Sequence, residues 1–574
     1  MLRHKILEDL KTVIKELNFP PTDPDSVGTD IVLSSPKKPQ FGDYSTNLAL
    51  QLAKRLSVSG YQSSEEIAKK ILEKLGKPDY LEKVEIAGKG FINFFIKDEQ
   101  LVKNLETAED LPKTKTSIKV LVEYGHTNPL KEIHIGHLRT FILGESISRI
   151  LESLDHQVFR ANYQGDIGLH IAKAIWGIKK LGLPTKELNL KEKAEFLGKA
   201  YTEGNKAYDL DHAIKVEIDK INAQLYQKDP EVKEIYELAR GWSLAYFEPV
   251  YDLLGIKYDR CFFESEVYET GKEIVSANIG KVFEENDGAV IFNGEKYGLQ
   301  IRVFITSAGN ATYEGKEIGL AQLEYDTFNY DKSIHVVAHE QEGYFQVVIK
   351  AIEIIFPHLK DKKYHLSYGL VDLKEGKMSS RTGNVVTIDD LYRVVSEKVR
   401  EVMKKNRLEI DQEVAKKVAL GAIKFSYLKY SPRPNMIFDL EESVSLEGDS
   451  GPYIQYTYAR IQSVLKKAKK DLNKANPDLI GANFENFILD KQERAILRQL
   501  LYFPDVVEET SSIYHPNLIA TYLLELSRLF NLFYQGSRII GSEKEEFRLL
   551  LSLKVGEVIK KGLYLLGIEA PERM

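Results

Sequence analysis

The sequence predicts a multidomain α/β protein: a central Rossmann-type doubly wound domain, an N-terminal α+β domain before it and a C-terminal all-α bundle after it. Three observations predict this architecture. The chain has 574 residues, which is too long for one ordinary domain. Between residues 117 and 390, short apolar runs typical of buried parallel strands alternate with helical patterns. After Asp389 the pattern is helical to the end.

The composition indicates a folded globular protein. Hydrophobic residues make up 43% of the chain and charged residues 29%, which excludes a disordered chain. The net charge of −6 excludes a protein that coats nucleic acid through bulk positive charge. One cysteine, Cys261, cannot form an intrachain disulfide or a multi-cysteine metal site, so we expect no zinc and a reducing, cytoplasmic location. No apolar run reaches the ~18 residues of a membrane span, so no membrane partner is expected.

Residues 1–112 are expected to form the N-terminal α+β domain. A polar, proline-bearing stretch at Leu105–Ser117 is typical of a linker. The periodicity predicts helices at Leu2–Leu17, Thr46–Leu56 and Glu65–Leu75, and strands at Ile31–Leu33 and Phe91–Ile96.

A strand–turn–helix–strand unit opens the central domain, which we expect over residues 117–390. Its parts are the runs Lys119–Tyr124 and Val158–Tyr163 and a helix from about His137 to Leu154. A helical insertion is expected at about 173–260, followed at 391–440 by a helical connector and at 441–574 by the C-terminal bundle. Three further strand-like runs are expected to complete the same sheet: Gly288–Asn293, Leu299–Ile305 and Ser333–Ala338.

The segment His-Ile-Gly-His (HIGH), at His134, Ile135, Gly136 and His137, lies where the first strand should give way to a helix. Free backbone N–H groups and the positive end of the dipole at a helix start attract phosphate. Glycine lets a nucleotide approach the backbone without a Cβ in the way, and two imidazoles three residues apart can face the same nucleotide. By itself such a tetrapeptide is a weak signal that often arises by chance.

A second tetrapeptide, Lys377, Met378, Ser379 and Ser380 (KMSS), lies in a glycine-rich polar loop. A lysine ammonium and two hydroxyls in a loop can close over pyrophosphate. Alone, this segment reads equally well as a solvated turn. The pair of motifs, in this order and in these structural contexts, resembles the signature of the class I aminoacyl-tRNA synthetases.

Longer segments narrow the resemblance to the arginyl-tRNA synthetase family. They follow the family's order along nearly the whole chain: Val122–Thr140, Ala161–Ile171, Ala311–Gly319, Gly451–Ala468 and Leu565–Met574. The resemblance implies an arginine–tRNA ligase that uses ATP with substrate-borne Mg²⁺ to make arginyl-adenylate, and then transfers arginine to tRNA(Arg). It also implies that residues 441–574 bind the anticodon. A monomer is expected, although the sequence itself does not determine the oligomeric state.

The resemblance assigns roles to individual residues. His134, Gly136, His137 and the KMSS residues would bind ATP, with Lys377 as the main pyrophosphate ligand and Lys131 in support. An arginine pocket should hold carboxylates and amide oxygens, because a guanidinium is a permanently charged planar donor. Glu317 departs from the family's usual aspartate, and His126 and Tyr344 differ from its commoner residues. The implied arginine-binding residues are Glu123, Asn128, Tyr313, Glu317 and Gln341.

The tRNA-binding residues that the resemblance implies are mostly aromatic, which suits single-stranded bases that stack on side chains. On helices, the same aromatics are equally compatible with a role in the core. The implied residues are Phe91, Asn93, Tyr453, Tyr456, Phe530, Tyr534 and Met574.

Two alternatives remain open at this point. One is another class I aminoacyl-tRNA ligase, although a cysteinyl enzyme would need a zinc site and a glutamyl enzyme would want a basic residue facing the substrate side chain. The other is a non-catalytic, tRNA-binding relative, which would be expected to lose HIGH or KMSS. Both motifs are intact.

Overall fold

The structure, a computed structural model, describes residues 2–17, 31–36, 38–56, 63–114, 116–374, 386–406, 408, 411–468 and 488–574. The chain divides into two compact units. Among the described residues, no helix is both long and apolar enough to cross a membrane. The first unit comprises Met1–Asp110, Ile461–Glu509 and Glu525–Ile559, and the second comprises Leu111–Arg460, Thr510–Leu524 and Lys560–Met574.

The N-terminal part of the first unit is an α+β fold with a four-stranded antiparallel sheet in the order β1-β2-β4-β3. The predicted strand at Phe91–Ile96 is present with those bounds. Its alternate residues Ile92, Phe94 and Ile96 are buried, as expected for a strand with one face on a core. The elements are α1 (Leu2–Glu16), β1 (Leu33–Ser34), β2 (Tyr44–Thr46), α2 (Leu48–Leu56), α3 (Ser64–Leu75), β3 (Leu81–Ala87), β4 (Phe91–Ile96) and α4 (Asp98–Lys103).

The second unit is built on a five-stranded sheet in the order β12-β11-β5-β6-β7, in which all neighbouring strands are parallel. The expected doubly wound architecture is therefore confirmed. Leu121, at the middle of β5, packs into a core shared with α10, α11 and α12. The elements of the sheet and its helices are β5 (Lys119–Glu123), α5 (Ile135–Ser153), β6 (Gln157–Gln164), β7 (Arg260–Phe263), α10 (Glu264–Ala277), α11 (Tyr313–Phe328), β11 (Lys332–Ala338), α12 (Glu342–Ile355) and β12 (Lys363–Tyr368).

The strand order reverses between β5 and β11. From β5 the chain continues outward to β6 and β7, whereas from β11 it continues in the opposite direction to β12. In open parallel sheets, ligands bind outside the carboxyl ends of the strands at such a reversal. The two strands that meet there pair Glu123 with His335.

The helical insertion is present and has a core of its own. It consists of α6 (Leu169–Leu181), α7 (Leu190–Leu210), α8 (His212–Tyr226) and α9 (Pro230–Leu254). Helices α6 and α7 approach so closely that a Cβ on Gly177 would lie 1.9 Å from the backbone oxygen of Ala200. Leu130, in the loop before HIGH, belongs to this core, so the insertion supports that loop.

Two of the three runs expected to complete the main sheet belong elsewhere, so that expectation was wrong for them. The strands β8 (Glu284–Asn286), β9 (Ala289–Phe292) and β10 (Arg302–Ile305) form a separate antiparallel sheet. Asp287 and Gly288, which join β8 to β9, both have positive φ, as a tight hairpin turn requires. That Asp-Gly pair was the sequence signal for a hairpin rather than for a parallel crossover.

The outer strands of the main sheet, β7 and β12, were not predicted. Both lie at an edge, and half-exposed edge strands lack the continuous apolar run that marks a central strand. The region after KMSS also contains a strand, β14 (Met436–Phe438), which pairs in parallel with β13 (Val371–Leu373).

Strand β14 contradicts the expectation that the chain is helical throughout after Asp389. The other described elements of that region are helices, as predicted. Within the second unit, the carbonyl oxygen of Leu565 accepts a hydrogen bond from Ser146 on α5, and that of Gly567 accepts one from Lys424. The helices are α13 (Ile388–Lys405), α14 (Gln412–Leu428), α15 (Leu440–Ser443), α16 (Gly451–Ala468), α17 (Lys491–Leu501), α18 (Phe503–Ile513), α19 (Asn517–Gly536) and α20 (Glu545–Leu565).

Candidate active site

The HIGH segment forms the start of α5, beside the reversal of strand order. His134 is the N-cap residue, and its Nδ1 accepts a hydrogen bond from the backbone N–H of Gly136 at 3.1 Å. His137, three residues later, accepts a hydrogen bond through its own Nδ1 from the backbone N–H of His134 at 3.2 Å. Each ring thus satisfies a backbone donor that a helix start leaves unpaired.

This arrangement corrects the expectation that free backbone N–H groups at HIGH would receive phosphate. The N–H of Ile135 donates to the carbonyl oxygen of Val386, that of Gly136 to His134 Nδ1, and that of His137 to the His134 carbonyl oxygen. The first backbone donors of α5 are therefore already used. Within HIGH, the donors available to a nucleotide are therefore those of the side chains.

The structure gives a further reason for glycine at position 136. A Cβ at this position would lie 2.9 Å from two atoms of the His134 ring, which folds back over the helix start. The missing side chain makes room for the imidazole of the N-cap residue.

Both imidazoles are held in one neutral form. Burial, assisted by neighbouring positive groups, lowers the pKa of His134 and lowers that of His137 to about 3. Because each Nδ1 accepts a backbone hydrogen bond, the single ring proton must be on Nε2. The ring centroids are 4.0 Å apart. The motif therefore presents two adjacent N–H donors, of which that of His137 does not titrate near neutral pH.

The KMSS residues Lys377, Met378, Ser379 and Ser380 lie outside the described residues. The chain on their C-terminal side is described again at Val386, which bonds the first residue of α5. Lys131 lies in the loop before HIGH and is half-buried. Burial lowers the pKa of its ammonium. Its Nζ lies 4.8 Å from the ring centre of Tyr201 on α7.

Two acidic side chains predicted to bind arginine are buried close enough for the charge of one to affect the other. Glu123 ends β5 and is 1% exposed, and Glu317 lies in the second turn of α11 and is 8% exposed. Burial, and then the charge of Glu123, raise the pKa of Glu317 well above its usual range. Two carboxylates in a desolvated site repel each other, so a bound cation would favour the ionised form of Glu317.

The other predicted arginine ligands are less buried than Glu123 and Glu317. Asn128 Oδ1 accepts a hydrogen bond from the N–H of Gly165 at 3.0 Å, which leaves the Asn128 amide N–H₂ to donate. Tyr313 begins α11 and is 59% exposed. Gln341 is exposed in the short turn that follows β11.

Sequence reasoning missed several polar residues around this pocket. Tyr163, on β6, has a buried hydroxyl with no hydrogen-bond partner among the described residues, and burial followed by Glu264 and Glu317 raises its pKa well above the usual value. Lys316, next to Glu317, forms a buried ion pair with Glu264 at 2.6 Å. The sequence carried no clear signal for them, because the elements that hold them contain several other polar residues.

A second missed group lies directly behind Glu123. It consists of Lys363, Glu324 and His335, which we call the Lys363 network. Lys363 Nζ donates to Glu324 Oε2 at 2.8 Å and to His335 Nε2 at 3.1 Å. His335 Nδ1 lies 3.3 Å from Glu123 Oε2. All three residues of the network are buried.

The predicted tRNA-binding residues of the first unit differ in accessibility. Phe91 and Tyr534 are exposed, at 44% and 40%. Asn93 is buried, with its Oδ1 accepting a hydrogen bond from Ser45 at 2.7 Å, and Phe530 is fully buried. Neither Asn93 nor Phe530 therefore presents a surface for base stacking in this structure.

In the second unit, the three predicted tRNA-binding residues are partly exposed. Tyr453 and Tyr456 lie on α16, and Arg460 stacks over the Tyr456 ring at 4.9 Å. Met574 is also partly exposed.

A doubly wound sheet whose first strand leads through HIGH into a helix defines a class I aminoacyl-tRNA synthetase. Comparison with known families agrees, because the model for "tRNA synthetases class I (R), catalytic domain" matches residues 100–440. The arginyl-tRNA synthetase N-terminal domain matches residues 2–96, and the DALR anticodon-binding domain matches residues 454–574. The chain belongs to the arginyl-tRNA synthetase family.

Individual relatives support this assignment over the whole length. The chain is 31% identical to the arginine–tRNA ligase of Parabacteroides distasonis, covering 96% of each protein. It is 30% identical to that of Clostridium perfringens, covering 99% of this chain and 100% of the relative. The solved arginyl-tRNA synthetase of Thermus thermophilus is 27% identical and superimposes with a TM-score of 0.84, each chain being covered completely.

Proposed function

We propose that this protein is an arginine–tRNA ligase whose active site lies at the reversal of strand order between β5 and β11. The observation that carries the proposal is the meeting there of two different elements. HIGH offers two neutral N–H donors, which suit a triphosphate, and Glu123 with Glu317 offers two buried carboxylates, which suit a guanidinium or an ammonium.

In the first step, a carboxylate oxygen of arginine attacks the α-phosphorus of ATP, and the bond to pyrophosphate breaks. We assign the Nε2–H groups of His134 and His137 to the phosphate oxygens. Lys377 takes the main role on pyrophosphate and Lys131 a supporting one. No side chain serves as a covalent nucleophile, so the rate depends on positioning and on stabilisation of phosphate charge.

The arginine substrate is expected to lie across the sheet edge. Glu317 is assigned to the guanidinium and Glu123 to the α-ammonium, with Tyr313 and Gln341 completing the pocket. Asn128 uses its Oδ1 for Gly165, so we assign its N–H₂ group to the substrate carboxylate. Mg²⁺ is expected to arrive on ATP, as part of the substrate, and no zinc is expected.

In the second step, a ribose hydroxyl of the terminal adenosine of tRNA(Arg) attacks the acyl carbon and releases AMP. We assign tRNA contacts to the exposed aromatic residues Phe91 and Tyr534, to the partly exposed Tyr453 and Tyr456, and to Met574.

The organisation that we propose follows the sequence expectations. Residues 1–112 contact tRNA, 117–390 catalyse, 391–440 connect and 441–574 bind the anticodon. We propose a cytoplasmic monomer. The single cysteine, which is free, supports a reducing compartment.

The experiment is pyrophosphate exchange with each amino acid in turn, with and without total tRNA. Among the amino acids, we expect only arginine to support exchange, and we expect this exchange only when tRNA is present. Exchange with a different amino acid would indicate another class I ligase. Tight tRNA binding without exchange would indicate a non-catalytic relative.

A further inference from the structure

The Lys363 network lies next to Glu123, and none of its three residues is assigned to a substrate. Its members come from three elements: Lys363 from β12, His335 from β11 and Glu324 from α11. His335 is paired with Glu123 across the β5–β11 ladder, which places the two side chains next to each other. The network is thus fixed by the sheet itself.

The hydrogen bonds determine where the His335 proton lies. An ammonium can only donate, so Nε2 of His335 must accept from Lys363. Burial and the charge of Lys363 keep the pKa of His335 well below its usual value, so the ring is neutral. The single ring proton is therefore on Nδ1, which lies 3.3 Å from Glu123 Oε2. Neither of these two atoms has a hydrogen-bond partner among the described residues.

The Lys363 ammonium compensates the negative charge of Glu324 within the network. Burial raises the pKa of Glu324 to about 7, against the opposing effect of Lys363, which is its ion-pair partner. Glu123, Glu324 and His335 bring three possible ligand atoms within 4.8 Å of one another. The Lys363 ammonium already bonds two of these side chains, so it takes the position of a cation in this cluster.

We propose that Lys363, acting through Glu324 and His335, is a positioning residue that holds the Glu123 carboxylate in orientation and charge for arginine. This inference rests on the proposed function. Lys363 itself does not contact the substrate. It fixes the His335 tautomer that faces Glu123 and offsets the charge of Glu324, which would otherwise repel Glu123.

The test compares Lys363→Met with Lys362→Met in the full-length protein. Lys362 is the preceding residue, and its Nζ donates to the Tyr330 carbonyl oxygen outside the network. Charging of total tRNA gives the KM for arginine, the KM for ATP and kcat. We expect Lys363→Met to raise the arginine KM by about tenfold, as for residues coupled in one hydrogen-bond network, with the ATP KM unchanged. Lys362→Met should match the wild type in both constants.

A double variant separates positioning from stability. Lys363→Met leaves Glu324 buried without its partner, which can destabilise the fold. Lys363→Met combined with Glu324→Gln removes both charges, and with them the repulsion of Glu123, but it does not restore the donor to His335 Nε2. We therefore expect the melting temperature to recover while the arginine KM stays above that of the wild type. If the arginine KM returns fully to the wild-type value together with the melting temperature, Lys363 does not orient Glu123 through His335 and the proposal is overturned.

The pH profile gives a readout that a structural role would not change. Protonation of Glu324 leaves the Lys363 ammonium without its counter-charge, so the ammonium would draw the Glu123 carboxylate away from arginine, and Glu324 should contribute a rise in kcat/KM for arginine with pH through a value near 7. In Glu324→Gln this contribution should be absent, whereas any rise that comes from ionisation of Glu317 should remain. The titratable and charged groups that face Glu324 are Glu123, His126, Glu317, Tyr330, His335 and Lys363.

Two results would overturn the inference while leaving the proposed function intact. One is an arginine KM for Lys363→Met within about twofold of the wild type, and the other is an equal rise in the KM values of arginine and ATP. By contrast, a wild-type protein that charges no tRNA with arginine would refute the proposed function before any variant is compared.

Discussion

Replacement of Glu317 by glutamine tests whether this carboxylate binds the guanidinium. Glutamine keeps the size and one oxygen acceptor but removes the charge. Because Glu317 is only 8% exposed, the guanidinium would be left without its counter-charge in a site that excludes water. We expect the arginine KM to rise and the fold to be retained, since the side chain contributes little apolar burial.

The magnitude follows from burial and from the raised pKa of Glu317. Truncating one partner of a buried charge pair costs about 2–5 kcal/mol, which corresponds to roughly 30- to 5,000-fold in affinity. In the empty pocket, burial and Glu123 favour the protonated form of Glu317, so part of the binding free energy is used to remove that proton. The loss should therefore fall in the lower part of this range.

The sign of the pH dependence follows from the same shift. Wild-type Glu317 gains its charge as pH rises towards its raised pKa, so arginine affinity should increase with pH. Glutamine has no proton to lose, so the ratio of the variant's KM to the wild-type KM should grow with pH. The measurement is arginine-dependent charging at saturating ATP and tRNA, at several pH values.

Two controls accompany this experiment. Glu317→Asp keeps the charge and should change the arginine KM far less than glutamine does. Glu314→Gln makes the same chemical change one turn earlier on α11, where the carboxylate pairs with Arg302 at 3.2 Å, and should leave the arginine KM near wild type. If Glu317→Gln and Glu317→Asp both behave like the wild type, or if the ratio does not change with pH, the assignment of Glu317 is wrong.

Three further predictions concern HIGH, KMSS and the insertion. Lys377→Ala should slow arginine activation by about a hundredfold or more, because one donor to pyrophosphate is lost; an unchanged rate in pyrophosphate exchange would transfer the role to Lys131. His137→Ala should lower the activation rate by about 10²- to 10³-fold, and the wild-type rate should show no titration of the His137 imidazole above about pH 5, which a pH–rate profile would reveal. Gly177→Ala should destabilise the protein by about 1–3 kcal/mol, because its Cβ would lie 1.9 Å from a backbone oxygen of α7. Gly241→Ala, in α9 with no atom within 4 Å of the added Cβ, should be neutral or slightly stabilising in the same denaturant titration.

The sequence predicted the central sheet where its strands are buried on both faces. The run at β5 is continuous and apolar, and the strand was placed within one residue of its observed end. The edge strand β12 could not be recognised, because polar residues alternate along it. The Asp-Gly turn between β8 and β9 carried a hairpin signal, but the surrounding apolar runs resembled those of the parallel sheet.

The candidate site was predictable where function requires a local motif and not where it depends on pairing between distant segments. HIGH is contiguous, so its position at the start of α5 followed from the sequence. His335, Glu324 and Lys363 come from separate elements, and their meeting depends on strand order and register, which no local pattern specifies. Asn93 and Phe530 were plausible RNA contacts by residue type, but the structure buries both, whereas Phe91 and Tyr534 are exposed.

The capping of α5 by its own two histidines has a consequence for reading mutants of this motif. His134 and His137 occupy the N-cap and N3 positions of α5, so the same two side chains start the helix and carry the donors that we propose for the nucleotide. A substitution that removes either ring would thus fray the first turn as well as remove a donor. Asparagine at position 134 can cap a helix but cannot reproduce the imidazole donor. Comparing the activation rates of His134→Asn and His134→Ala would therefore separate two effects. The difference between the two variants measures the loss of the helix cap, and the loss that remains in His134→Asn measures the missing imidazole donor.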